Sequence, residues 1–116
     1  MERIAIVSAA RTPIGKFLGA LSPMTAVELG AAAVAGALEQ CGVQPADVDE
    51  LYMGQARQLG SGPNPARQVG IRAGCGEAAV ATTVNKACGS SLKAIDLARA
   101  AILLDGQRVV VAGGME

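Results

Sequence analysis

The chain reads as an α/β protein, a layered fold in which helices cover a mostly parallel sheet. Three observations predict this. Strand-like and helix-like segments alternate as β-α-β-α-β-α-β along the 116 residues. The strand-like segments are near-continuous runs of apolar or β-branched residues, the pattern of strands buried on both faces. Apolar residues make up 51% of the chain but include one Phe and one Tyr only, so the layers are built from small side chains that allow close approach.

Residues 3–8 form a short apolar run and predict the first strand. Residues 11–23, punctuated by Pro13, Gly15, Gly19 and Pro23, predict an ordered loop. Thr25 followed by Glu28 is a capping-box pattern and opens an Ala-rich helix to about Gln40. Gly42 supplies the left-handed residue that stops it. A turn over 43–49 leads to a second strand, 50–53, and a Gly- and Gln-containing loop, 54–63. Asn64 caps the next helix with Pro65 at its first position, and that helix runs to about Ala73 and ends at Gly74. Residues 80–85 predict a third strand, and 88–104 a helix whose Leu92, Ile95, Ala98 and Ile102 recur at helical spacing. Asp105-Gly106 closes this helix, 108–112 predict a fourth strand, and Gly113-Gly114 follows as a turn.

No repeat or low-complexity linker interrupts the pattern, so 1–116 reads as one domain or part of one. Stopping on Gly-Gly directly after a central-type strand leaves that strand uncovered. The expectation is an incomplete domain, a fragment of a longer protein.

Composition excludes several classes. Ten basic and ten acidic residues cancel without a Lys/Arg cluster, and the two aromatics give no stacking platform, which argues against nucleic acid as a partner. The three cysteines, Cys41, Cys75 and Cys88, show no CxxC spacing and the chain has no histidine, so no metal site is expected. No apolar stretch reaches membrane-spanning length without a charge or Gly break, and the run 4–10 is too short for a secretory signal core. A cytoplasmic protein with reduced thiols and no membrane partner is expected.

Cys88 is the candidate nucleophile. It stands where the strand at 80–85 gives way to a helix, beside the first free N–H groups, and the positive end of the helix dipole favours a thiolate there. Gly89, Ser90 and Ser91 keep the turn small enough for a carbonyl to approach. Against this stands the ordinary packing role of free cysteines. Cys41 reads as a helix-end packing residue and Cys75 as a loop residue. Lys86 and Lys93 read as solvent-facing charges, and Lys86 is also close enough in sequence to favour a thiolate at Cys88. Gly60-Ser61-Gly62-Pro63-Asn64 lacks the companions of a phosphate-binding loop and reads as a structural turn; Arg67 and Gln68 read as interface or capping residues.

Four segments together resemble the thiolases, the acetyl-CoA acetyltransferase and 3-ketoacyl-CoA thiolase group. They are Val7-Ser8-Ala9-Ala10-Arg11-Thr12-Pro13-Ile14-Gly15-Lys16-Phe17, Asn64-Pro65-Ala66-Arg67-Gln68, Asn85-Lys86-Ala87-Cys88-Gly89-Ser90-Ser91-Leu92-Lys93-Ala94, and Val109-Val110-Val111-Ala112-Gly113-Gly114-Met115-Glu116. The resemblance runs in order along the whole chain and covers roughly the first third of a typical member, the N-terminal part of the first half of a thiolase-like fold. It implies an acyltransferase in which Cys88 attacks an acyl-CoA thioester and carries the acyl group. Acetyl-CoA then condenses to acetoacetyl-CoA, or CoA cleaves a 3-ketoacyl-CoA, as in fatty acid metabolism. The Cys88 N–H would be one donor to the oxyanion. Coenzyme A thioester is thus a substrate, and no permanently bound cofactor is expected.

The resemblance also implies a histidine that activates the nucleophile and a second, acid/base cysteine, both from a C-terminal half. The chain has no histidine, and neither Cys41 nor Cys75 sits in a matching motif, so the chain alone is expected not to turn over. Gly89-Ser90-Ser91 replaces the usual small residue followed by Ser-Gly, and Cys followed by a serine pair also resembles the ketoacyl synthases. The alternatives are therefore a synthase-like condensing enzyme, or a catalytically incomplete fragment with a structural or assembly role. The strand leading to Cys88 lies at the dimer interface in thiolases, which implies a homo-oligomer or pairing with a missing C-terminal portion.

Overall fold

The structure is a computed structural model that describes residues 3–116. It is α/β with a three-stranded parallel sheet. Helix α1 (Ala26–Cys41) and a 3-10 turn (Pro45–Asp47) precede strand β1 (Glu50–Gly54). Helix α2 (Pro65–Arg72), strand β2 (Val80–Val84), helix α3 (Ser90–Asp105) and strand β3 (Val110–Gly114) follow. The strand order is β2-β1-β3, with Leu51 opposite Ala81 on one side and Val111 on the other. Central β1 is buried along nearly its whole length, Leu51 and Met53 most completely, as expected of a strand flanked on both sides.

Helix starts and stops follow the local chemistry. The Thr25 hydroxyl accepts the Glu28 N–H at 3.2 Å while the Glu28 carboxylate accepts the Thr25 N–H at 2.8 Å, a complete capping box. Gly42 closes α1 at φ 72°, the left-handed conformation glycine adopts without strain. Asn64 caps α2, with Pro65 at its first position.

Successive residues of β1 face opposite layers. Leu51 and Met53 point toward α1 and α2, where Val27, Val34, Leu38, Ala66 and Val69 complete the core. Gly54 faces α3, which lies across β1 and β3 on the other side. A Cβ on Gly54 would sit 2.7 Å from the Ser90 Cβ and 2.8 Å from the Ser90 carbonyl carbon. The first turn of α3 therefore rests directly on strand backbone.

Three expectations change. The first is the strand over 3–8, which does not form: the segment pairs with neither edge of the sheet, and Ile6 and Val7 are exposed. An apolar run supplies side chains for a strand, but a ladder also needs a partner backbone. The second is the face of α3. Ser90, Ala94, Ala98 and Ala101 are buried, whereas Leu92 and Ile95, expected to face inward, are exposed. The glycine-lined strands admit only the small face of this helix. The third is the last strand, which begins at Val110 rather than at residue 108 and takes in Gly113 and Gly114, read from the sequence as a closing turn. The Asp49 carboxylate accepts the N–H groups of Arg108 and Val109, at 2.8 and 2.9 Å, and so caps the entry to β3.

Those two bonds, Val109 first, hold the Asp49 carboxyl below its ordinary value. A carboxyl lowered on folding stabilises the native state above its unfolded pKa of about 3.9, and that contribution is lost as pH falls through the lower folded value. Asp49→Ala is expected to cost about 1 kcal/mol at neutral pH, and the difference from wild type should shrink below pH ~4. Urea unfolding at both pH values checks this; a difference independent of pH would contradict it.

Candidate active site

Residues 85–89 connect β2 to α3 at the C-terminal ends of the parallel strands, the edge at which open α/β sheets bind ligands. The turn is tight because Ala87 adopts φ 48°. For a residue with a Cβ that left-handed conformation costs roughly 1–2 kcal/mol, so the surroundings must enforce it. Two side chains do so. The Asn85 Oδ1 accepts the Ala87 N–H at 3.0 Å, and the Ser90 hydroxyl accepts the Lys86 N–H at 2.9 Å while donating to the Ala87 carbonyl at 2.6 Å.

Cys88 follows the strained residue and is exposed. Helix α3 starts two residues later with Gly89 as its cap, and no side chain bonds its first-turn N–H groups, unlike α1 and α2. The Gly89 and Ser90 N–H groups bond the Lys86 and Ala87 carbonyls at 3.0 and 3.2 Å, which leaves the Ser91 and Leu92 N–H groups as the donors of this turn that a negative oxygen or sulfur could meet. An open cavity of about 320 Å³ lies in front, lined by Gly54 and Ala56, by Ala87 and Cys88, by Ser91 and by Met115. Gln55, Ser90 and Glu116 complete the lining, and the small residues beside Cys88 leave its thiol open to the cavity.

The other cysteines are placed differently. Cys75 is buried, and burial pushes its thiol up, which keeps it protonated and unreactive. Cys41 is half-buried at the end of α1, its Sγ donating to the Leu38 carbonyl at 3.5 Å. Lys93 pairs with Asp96 at 2.8 Å on the outer surface of α3, and Lys86 is exposed.

The Asn64–Gln68 motif turns out to be scaffolding for the site. Asn64 Nδ2 donates to the Ala81 carbonyl at 3.0 Å, and its Oδ1 accepts the Thr83 hydroxyl at 2.7 Å. Arg67 donates to the Ala79 and Glu77 carbonyls, and Gln68 Nε2 to those of Ser61 and Pro63. The loop at 60–64, with Gly60 and Gly62 at positive φ, is thus tied down by its own neighbours. These residues fix β2, and through it the turn that carries Cys88.

One contributor was missed in the sequence. Glu116 accepts the Arg57 N–H at 2.7 Å and the Ala56 N–H at 3.3 Å, joining the end of β3 to the cavity rim. A terminal glutamate after Gly-Gly carries no sequence signal of this contact. Among the described residues no cluster of His, Cys, Asp or Glu is arranged to hold a metal ion, and no helix is long and apolar enough to cross a membrane.

Comparison with known families gives a match over residues 4–116 to the N-terminal domain of thiolase. The chain is 53% identical over 113 residues to a cytosolic acetyl-CoA acetyltransferase of Gibberella zeae, covering 97% of this chain and 28% of that protein. It is 52% identical over 116 residues to the acetyl-CoA acetyltransferase of Cupriavidus necator, covering 100% and 30%. The mitochondrial acetyl-CoA acetyltransferase of Homo sapiens is 46% identical over 116 residues, covering 100% and 27%. The chain thus spans less than a third of the length of these relatives.

Proposed function

Because the chain belongs to the thiolase family, through its N-terminal domain, we propose that it carries the acyl-transfer nucleophile of a CoA-thioester acyltransferase, and that the nucleophile is Cys88. The observation that carries this reading is the exposed thiol just before α3, whose start no side chain caps, facing a cavity at the C-terminal edge of the sheet. The Cys88 thiolate attacks the thioester carbonyl, and a carbon–sulfur bond forms as the carbonyl electrons move to oxygen. The backbone N–H of Cys88 is the proposed donor to that oxyanion. Collapse expels CoA as a thiolate, which takes up a proton, and the acyl group remains on Cys88.

In the family a histidine activates the nucleophile, and an acid/base cysteine serves the second half of the reaction, condensation with acetyl-CoA or release by CoA. The chain contains no histidine, and neither buried Cys75 nor Cys41 at the end of α1 faces the cavity. These groups belong to the remainder of a full-length thiolase, so the 116-residue chain is expected to accept an acyl group slowly, through thiolate that has lost its proton to solvent, and not to turn over. We further propose a cytoplasmic setting and self-association through β2. Support comes from three unpaired thiols and from the position of β2 at the sheet edge, with Val80 and Thr82 exposed.

Incubation with acetyl-CoA followed by intact-mass measurement and peptide mapping tests the reading. One acetyl group on the Cys88 peptide, with no acetoacetyl-CoA formed, is expected. Acetylation spread over lysines or over Cys41 would sink it.

A further inference from the structure

We infer that Asn85 is a positioning residue for Cys88, a role that rests on the proposed reading of Cys88 as nucleophile. Its side chain bridges two segments that the sequence separates by about thirty positions. The Oδ1 accepts the Ala87 N–H at 3.0 Å, and the Nδ2 donates to the Ala56 carbonyl at 3.0 Å. The amide orientation is fixed by chemistry, since an N–H can meet only the oxygen and a carbonyl only the nitrogen.

Each bond has a distinct consequence. The first closes an Asx turn, the conformation by which Asn binds the backbone two residues on, and it holds Ala87 at φ 48°. With Ala87 in place, Cys88 leaves the strand direction and its thiol lies at the start of α3. The second bond ties that turn to the cavity rim. Glu116 grips the same rim from the other side through the Ala56 and Arg57 N–H groups. The Ala56 peptide is therefore held at both its N–H and its C=O, and Asn85 transmits that rigidity to the turn.

Neither bond touches the sulfur, so Asn85 acts on the reaction by setting where the thiol stands. The experiment is the alkylation rate of each cysteine by iodoacetamide at neutral pH, read by peptide mapping of the 116-residue chain. Asn85→Ala is expected to slow Cys88 about tenfold, because the released turn carries the thiol away from the α3 start that favours its thiolate, with Cys41 unchanged and Cys75 still protected. Asn85→Ser, whose hydroxyl can accept the same Ala87 N–H in an ST turn, is expected to recover most of the rate. An Asn85→Ala chain with a fast Cys88 would overturn the inference and leave the nucleophile intact. A wild-type Cys88 no faster than Cys41 would overturn both. Should Asn85→Ala unmask Cys75 by unfolding, amide exchange of wild-type Ala87 decides: protection supports the Asn85 bond, and exchange at the free-peptide rate overturns it.

Discussion

Cys88→Ala is expected to abolish acetyl capture from acetyl-CoA while leaving the fold as stable as wild type. The two halves of this expectation come from the same observation. The Cys88 side chain is exposed, so removing its sulfur opens no cavity in the core. A surface change of this kind stays within about 0.5 kcal/mol. The chemistry has no substitute, because Cys75 is buried with its thiol pushed up and Cys41 sits at the far end of α1. Intact-mass measurement after acetyl-CoA, paired with urea unfolding, separates the outcomes. Residual acetylation of the variant would move the acyl site elsewhere; a large loss of stability would make Cys88 a packing residue.

Gly54→Ala is the reverse case, a change outside the thiol turn with a large structural effect. The new methyl would meet Ser90 Cβ at 2.7 Å, Ser90 carbonyl carbon at 2.8 Å and Ser91 nitrogen at 2.9 Å. Two of these are helix backbone and cannot rotate away, so α3 must lift off the sheet. Overpacking of this kind costs about 3 kcal/mol, and the lifted segment is the one that carries the α3 start and the cavity wall. Gly30 provides the contrast. A methyl there meets the Met115 Sδ at 2.7 Å, a flexible thioether able to swing aside, and the Val69 Cγ2 at 3.1 Å, which must give slightly, so Gly30→Ala is expected to cost about 1 kcal/mol. Urea unfolding of both variants checks the ranking; equal losses would contradict a backbone clash at Gly54.

The α/β class, both capped helix starts and the Gly42 stop were legible because each rests on local chemistry that a few adjacent residues specify. Thr25 with Glu28, and Asn64 with Pro65, need no distant partner. The strand over 3–8 failed for the opposite reason: strand formation depends on a neighbouring edge that the run itself does not encode. The orientation of α3 was misread because Leu92 and Ile95 are large apolar groups, while the sheet beneath offers the glycine backbone of Gly54 and Gly114, against which Ser90 and Ser91 lie, and the helix buries its small residues Ala94, Ala98 and Ala101. At the site, the turn carrying Cys88 was visible in the passage from β-branched residues to Gly-Ser-Ser. The contacts of Asn85 and Glu116 with Ala56 were not, since they join segments far apart in the chain.

The central claim is that the fold makes one of three thiols a nucleophile. Parallel alkylation of Cys41, Cys75 and Cys88 in the wild-type chain, at neutral pH and limiting iodoacetamide, tests it most directly. The predicted result is modification of Cys88 well ahead of Cys41, with Cys75 last. Equal rates for Cys88 and Cys41 would contradict it and leave the 85–90 turn a structural connection.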